Sequence, residues 1–425
     1  MTPRRILVVT YFFAPSTAVG AARWTAMVRH LRRMGHDVTV ITSAVHGALP
    51  GDDAERVIRT PDLNESPALR RLLRRPALGA PGAAPVVTPA PAVLTRVVVP
   101  DSHLVSWLPG VVAAARRVVR DRQIDCVITS GPPDSAHMLG LALRGCSRPA
   151  WIADFRDGWR FERLAAPWPT RAQRALEARL ERRVATRAEA VIGATQPIAE
   201  DFCVRLGARA EWIPNGWDPE LAADVERADP PAVDEPGWVT LVHTGTLSGP
   251  RGRQPRPLLS ALRRVNADSQ GAPRVRLVLA GRLTSDDEAL LAEAELGDSV
   301  RHLGLLERGA ALALQQGAGA LLLLTGRDRS EATGKLFEYL HAGRPILALA
   351  TANEAARIVT STGTGVCVAS TDEEQIVAAL REVARGRLDD GFAPRGLERF
   401  TYPAPAAAVA ALVEEAIARR GDPRR

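Results

Sequence analysis

The chain has 425 residues, 46% hydrophobic and 24% charged, with a formal net charge of +7 and a pI near 10.0. That length exceeds what one hydrophobic core supports, and two globular domains of about 200 residues are the natural division. The basic excess fits a phosphate-bearing ligand, a nucleic acid or an anionic membrane. No run interleaves basic and aromatic residues as a stacking platform, which sets nucleic acid aside, and no apolar run reaches the ~18 residues of a spanning helix.

The four cysteines, Cys126, Cys146, Cys203 and Cys367, are widely spread and form no CxxC pair. They read as small buried residues of a reducing compartment, which predicts a cytoplasmic protein. Arg4 and Arg5 followed by Ile6–Ala14 imitate a signal peptide. The preferred reading is a first strand, Ile6–Thr10, entering the loop YFFAPSTAVGAARW. A helix from about Ala21 to Met34, stopped by Gly35, and a strand Val38–Thr42 complete a βαβ unit. Gly20 leaves the backbone open at the helix start, which suits a phosphate or a substrate hydroxyl; a plain turn is the equal alternative.

Residues 46–100 break the alternation and read as an insert. Leu69, Leu72 and Leu73 fall on one helical face, and Arg70, Arg71, Arg74 and Arg75 on the other. Such a turn either rests peripherally on an anionic membrane or forms a docked surface helix. A Pro/Ala-rich run, Pro76–Pro91, follows. Regular alternation returns with a helix at Trp107–Arg122 and a strand at Cys126–Thr129. In SGPPDSAH, His137 precedes the next helix and either donates to a substrate oxygen or caps. A strand Trp151–Ala153 ends in DFRDGW, where Asp154, Arg156 and Asp157 are expected to pair locally. A charged helix Ala172–Arg187 and a strand Val191–Ala194 lead to WIPNGWD, the exit from a first domain spanning residues 1–216. Residues 217–237, rich in Asp and Pro, form a linker.

The second domain, residues 238–400, restarts with a strand Val239–His243 and the loop TGTLSGPRGRQPRP, which carries Arg251 and Arg253. Helix Leu258–Val265, strand Val275–Ala280 ending at Gly281, helix Glu288–Glu295, strand Val300–Leu303, helix Gly309–Gln316 and strand Ala320–Leu324 follow. The stretch Ser330–Ala350 then reads as a loop with Glu331, a helix from about Gly334 to Ala342, and a buried strand Ile346–Ala350. Strand Gly365–Ala369 and helix Glu373–Ala384 close the domain. Residues 401–425 hold a last helix, Ala406–Arg419, expected to pack back on the first domain.

Glu331 and Glu338 bracket the helix start, where Thr333, Gly334 and Lys335 offer free amides and the positive end of the helix dipole to an anion. Lys335 is the only lysine among 55 basic residues. A compact ammonium where every other cation is arginine points to a site that rejects the planar fork. Carboxylates for hydroxyls, with a cation and amides for phosphates, are what a sugar nucleotide requires. Ligands of parallel α/β sheets bind outside the carboxyl ends of the strands. The loops at Gly20, His137, Arg251 or Arg253, Gly281 and Glu331 all leave strands there.

GxGxxG, GxxxxGK[ST], HExxH and DxD are all missing from the sequence. No metal and no cofactor are therefore expected, and leaving-group charge falls to Arg, Lys and amides.

Together, ILVVTYFFAPSTAVGAARW, TSGPPDSAH with WIADFRDGW, WIPNGWD, HTGTLSGPRG and EATGKLFEYLHAGRP resemble the retaining GT-B glycosyltransferases of family 4. The resemblance covers nearly the whole chain and is weakest over residues 46–100. It implies an α/β fold of two Rossmann-like domains facing across a cleft, and a sugar moved from a nucleotide diphosphate donor with retained configuration and without a metal. It places Glu338 on the ribose hydroxyls, Glu331 on the donor sugar, and Arg251 or Arg253 with Lys335 on the diphosphate. His137 would face the transferred sugar near its primary hydroxyl, and Gly20, Gly281, Thr333 and Gly334 would line the donor site.

Three features depart from the family. Glu331 and Glu338 stand seven apart, one closer than is usual; Thr246 replaces a common arginine; and the arginine loop is longer. The acceptor would be a glycan, a lipid-linked sugar or a small aglycone, met in the cytoplasm or at the inner membrane face. A sugar-nucleotide epimerase and a non-catalytic subunit on the same fold are the alternatives.

Overall fold

The computed structural model describes residues 2–16, 19–49, 55–65, 97–143, 149–163, 166–221, 225, 228, 231–233, 235–248, 255–269 and 271–420. The basic leucine run at 69–75, the Pro/Ala-rich run at 76–91, Cys146, and both Arg251 and Arg253 lie outside them. The chain forms two compact units, Met1–Asn215 with Tyr402–Arg425, and Gly216–Thr401.

Unit 1 runs β1 (Arg5–Thr10), α1 (Val19–Arg33), β2 (Asp37–Ser43), β3 (Val57–Thr60), α2 (His103–Ser106), α3 (Leu108–Arg122), β4 (Cys126–Gly131), α4 (Met138–Ala142), β5 (Ala150–Phe155), α5 (Arg171–Arg187), β6 (Ala190–Gly193), α6 (Gln196–Leu206) and β7 (Ala210–Trp212). Its seven strands lie in the order β3-β2-β1-β4-β5-β6-β7, and all are parallel. Val8 sits opposite Val40 on one side and Ile128 on the other. β1 explains the architecture residue by residue. Its alternate side chains part to opposite faces: Leu7 and Val9 join α3 through Val111, Ala115 and Val118, while Ile6 and Val8 join Trp24, Met27 and Leu31 of α1. A strand covered on both faces must be apolar throughout.

Unit 2 runs β8 (Trp238–Thr244), α7 (Arg256–Ala267), β9 (Arg274–Ala280), α8 (Ser285–Ala294), β10 (Val300–His302), α9 (Arg308–Gly317), β11 (Ala320–Leu324), α10 (Gly334–His341), β12 (Ile346–Leu349), α11 (Glu354–Thr362), β13 (Gly365–Val368) and α12 (Glu373–Ala384). Its six parallel strands lie in the order β10-β9-β8-β11-β12-β13. α7 buries Leu258, Leu262 and Val265 against the sheet, at helical spacing. The last helix, α13 (Ala404–Arg420), belongs to unit 1. There Val409 and Val413 enter the α1 face of the core, and Arg4 grips Glu414 at 2.8 and 2.6 Å. Among the described residues no helix is long and apolar enough to cross a membrane.

Two differences from the sequence reading have physical causes. β3 lies inside the segment set aside as an insert, pairing as an edge strand beside β2. Asp154 does not pair locally: it meets Arg23 at 3.1 Å, with side chains 0% and 1% exposed. Its other oxygen accepts from Trp24 Nε1 at 2.9 Å and Ser130 Oγ at 2.7 Å. Arg23 also donates to the carbonyls of Ile213 and Pro214, at 2.9 and 2.7 Å. A buried charge survives only when paired and hydrogen-bonded, and this pair ties α1, β4, β5 and the segment after β7 together. Asp154→Ala should therefore destabilise unit 1 by about 3–5 kcal/mol, the cost of leaving one buried charge unpaired. Urea unfolding followed by tryptophan fluorescence measures it; a loss under about 1 kcal/mol, the ceiling for a surface pair, would contradict this role.

Candidate active site

Each sheet reverses its winding once, between β1 and β4 in unit 1 and between β8 and β11 in unit 2. Connections leave such a point in opposite directions and open a crevice at the carboxyl ends of the strands. The sequence-derived residues that the structure describes gather at these two points.

In unit 2, β8 passes from Thr244 into Gly245 and β9 from Ala280 into Gly281, with φ of +104° and +150°. Both angles favour glycine. The Gly245 N–H donates to Ala280 O at 2.7 Å, and a Cβ on Gly281 would stand 2.5 Å from Gly245 O. The two loops touch backbone to backbone, with no room for a side chain between them. Across from them α10 begins. Thr333 has the extended backbone of an N-cap, yet its hydroxyl makes no cap bond. The buried hydroxyl oxygen of Thr333 has no protein partner. The first turn of α10 thus receives no bond from its N-cap hydroxyl, and the positive end of a helix dipole favours an anion. Lys335 projects from this turn over the end of β8: a Cβ on Gly245 would be 2.7 Å from its Nζ. Nζ also lies 3.4 Å from Nε2 of His243, a fully buried ring whose nitrogens face Leu322 O at 2.9 Å and Thr246 O at 3.0 Å.

The two glutamates differ in setting. Glu331 is 3% exposed, and one carboxylate oxygen accepts the Gly326 N–H at 2.6 Å, bracing its own loop. Glu338 is half-buried and receives Gln315 Nε2 at 3.2 Å, with Arg308 Nη2 3.5 Å away. Gln315 continues to Thr244 Oγ1 at 3.2 Å, and the Thr244 N–H donates to Tyr339 Oη at 2.9 Å. Glu338 is therefore linked to the end of β8.

In unit 1, β4 ends at Gly131 and a tight 3-10 turn, Asp134–His137, precedes α4. His137 is fully buried, packed against Phe155 with ring centroids 4.2 Å apart and stacked toward Trp159 at 6.3 Å. Its Nδ1 lies 2.9 Å from Thr129 Oγ1, which already accepts from Trp151 Nε1 at 2.9 Å. Nδ1 is thereby engaged within the protein, and Nε2 is the ring nitrogen left for a ligand. That Nε2 has no protein partner and stands 2.8 Å from where a Cβ of Gly131 would be. Burial drives the imidazole pKa down to about 3. His137 is consequently a neutral imidazole near neutral pH, unsuited to act as a base.

Gly20 lies under Arg156, where an added Cβ would overlap Nη1. Arg156 in turn donates from Nε to Gly131 O at 2.7 Å and from Nη2 to Pro132 O at 3.1 Å. The sequence reading gave this arginine a local partner instead. Its position just past the carboxyl end of β5 was the available signal for a place beside His137 and Gly20.

A histidine with a depressed folded pKa binds fewer protons folded than unfolded. Its contribution to stability is complete above the ordinary imidazole value of about 6.5 and falls away as pH drops toward 3. The urea midpoint of the parent should decline between pH 7 and 4.5, and His137→Gln should flatten that decline. An equal acid slope in both proteins would show that His137 is not held neutral by the fold.

Two family descriptions match consecutive stretches of the chain: Glycosyltransferase Family 4 over residues 20–221 and Glycosyl transferases group 1 over residues 239–385. A search of curated proteins found no match. Several solved structures share the fold at low identity. WaaG, a glycosyltransferase involved in lipopolysaccharide biosynthesis, aligns at 15% identity over 97% of this chain and 98% of its own, with a TM-score of 0.55. The trehalose 6-phosphate synthase of Burkholderia multivorans aligns at 14% over 99% and 100%, with a TM-score of 0.61. A Listeria monocytogenes protein provisionally described as a UDP-N-acetylglucosamine 2-epimerase aligns at 12% over 97% and 96%, with a TM-score of 0.53. With two Rossmann-like units and both family descriptions matched in order, the chain belongs to the family 4, group 1 glycosyltransferases.

Proposed function

We propose that this glycosyltransferase moves a sugar from a nucleotide diphosphate donor to a hydroxyl acceptor, retaining the anomeric configuration and using no metal. The observation that carries the proposal is the placement of the chain's single lysine. Its ammonium stands over Gly245, at a helix start that the N-cap hydroxyl of Thr333 leaves uncapped. Pyrophosphate leaving from the anomeric carbon gathers negative charge, and fixed donors at that point lower the barrier most. Lys335 and the amides of Gly334 and Lys335 would hold the diphosphate, together with Arg251 or Arg253. Gly245 and Gly281 would let its oxygens approach the backbone. Glu338 would accept the ribose hydroxyls, exchanging its bond from Gln315 for them, and Glu331 would face the donor sugar from its braced loop.

Unit 1 would handle the transferred sugar and the acceptor. His137 donates its Nε2 proton to a sugar hydroxyl, the role left to a neutral ring. With no base at that position, the departing phosphate oxygen takes the acceptor proton as the new bond forms on the face the phosphate leaves, which retains configuration. WaaG's place in lipopolysaccharide biosynthesis makes a glycan or lipid-linked sugar the leading acceptor class, with a small aglycone next. The arginine and leucine run at 69–75 would suit peripheral contact with an anionic inner membrane face from the cytoplasm.

A second reading, a sugar-nucleotide epimerase, draws on the epimerase-like structural neighbour. Incubation with donor alone separates the two: an epimerase converts it fully, whereas a transferase shows only slow hydrolysis until an acceptor is added. Lys335→Ala should lower turnover by about a hundredfold or more, the usual effect of removing one transition-state donor. Lys335→Arg should restore little, because the planar fork does not replace a compact ammonium. Turnover of the alanine variant within a fewfold of the parent removes Lys335 from the chemistry. Product analysis by NMR should give the donor's own anomer; an inverted product contradicts the retaining assignment.

A further inference from the structure

A chain of polar contacts in unit 1 links the end of β1 to the turn that carries His137. Tyr11 Oη donates to Asp62 Oδ2 at 2.8 Å. His103 Nε2 stands 3.6 Å from the same oxygen, and its Nδ1 stands 3.3 Å from Asp101 Oδ1. Asp101 then accepts both the N–H and the hydroxyl of Ser135, each at 2.8 Å, two residues before His137. The Tyr11 ring meets His103 edge-on at 4.8 Å and Trp107 at 5.0 Å.

We propose that His103 is a positioning residue: as an imidazolium it joins Asp62 to Asp101, and through them it sets the Tyr11 end of β1 and the Ser135 turn that aims His137. Its bearing on sugar transfer rests on the function proposed above; the linkage itself does not. An imidazole with a carboxylate at each nitrogen needs both protons, since the neutral ring would turn a lone pair on one of them. Burial alone would lower the His103 pKa, but the bond to Asp101 and the charges of Asp101, Asp62 and Glu65 outweigh it and raise the pKa. Burial likewise works against ionised Asp101, yet His103 and Ser135 hold its carboxyl below the usual range. Among the described residues, the other titratable groups at the cluster are Tyr11, with His46 edge-on to its ring at 6.3 Å, and Asp134. Asp134 has its carboxyl pushed well up by burial and by the Asp101 charge. Because the folded pKa of His103 is raised, the clamp is complete below the ordinary value of about 6.5 and is released as pH rises through the folded value.

Side-chain NMR of the histidines in the full chain, titrated from acid to alkaline pH, tests this without any sugar substrate. His103 should titrate with a midpoint above about 6.5, and His137, neutral throughout, should show an inflection at that same midpoint. Ser135→Ala should abolish the His137 inflection while His103 still titrates, and Asp101→Asn should bring the His103 midpoint down to the ordinary value or below. A His137 signal that stays flat through the His103 titration overturns the proposal, as does a His103 midpoint at or below the ordinary value. Neither result depends on glycosyl transfer, so this proposal and the functional one fail separately.

Discussion

An ammonium at the open start of a helix, facing two glycine turns, is the interaction on which unit 2 is organised. Each part of it has a separate physical origin. The parallel sheet supplies a winding reversal at β8 and β11. Gly245 leaves room for the Lys335 ammonium, and Gly281 lets its loop pack against Gly245 backbone to backbone. Thr333 withholds its hydroxyl from the first turn of α10. Lys335 then contributes the one charge of its kind in the chain. A helix dipole end, its first-turn amides and a cation acting together suit a doubly charged group far better than any one of them alone.

Unit 1 solves the opposite problem, keeping a polar ring neutral. Phe155 and Trp159 exclude water from His137, and Thr129 occupies its Nδ1. The ring is left with Nε2 directed past Gly131. Around it lie two charge systems, the buried pair of Arg23 with Asp154 and the partly exposed set of His103 with Asp62 and Asp101, that hold loops rather than do chemistry. Such pairs are costly to desolvate and costly to break, which makes them effective fasteners for a turn whose aim matters.

Much of this was readable in the residues themselves. The parallel strands announce themselves as short apolar runs because both faces are covered; Ile6–Thr10 and Ala320–Leu324 were found that way. The α10 start was readable because Thr333, Gly334 and a lone lysine stand between Glu331 and Glu338. Part of what escaped was non-local. Arg23 and Asp154 lie 131 residues apart, and no spacing rule joins them. Arg156 looked paired with its neighbours, whereas it reaches back over Gly20. β3 was hidden in an atypical segment because an edge strand of four residues carries little pattern. α11 was missed although Asn353 caps it and Gly363 ends it with φ of +63°, signals the sequence does contain.

The central claim is that Lys335 and the amides beside it hold a pyrophosphate. Calorimetric titration of the full chain with nucleoside diphosphates and the matching monophosphates, repeated on Lys335→Ala, measures it most directly. The account predicts that the substitution weakens diphosphate binding at least tenfold, about 1.4 kcal/mol, and changes monophosphate binding little. Equal diphosphate affinity in the two proteins would contradict it.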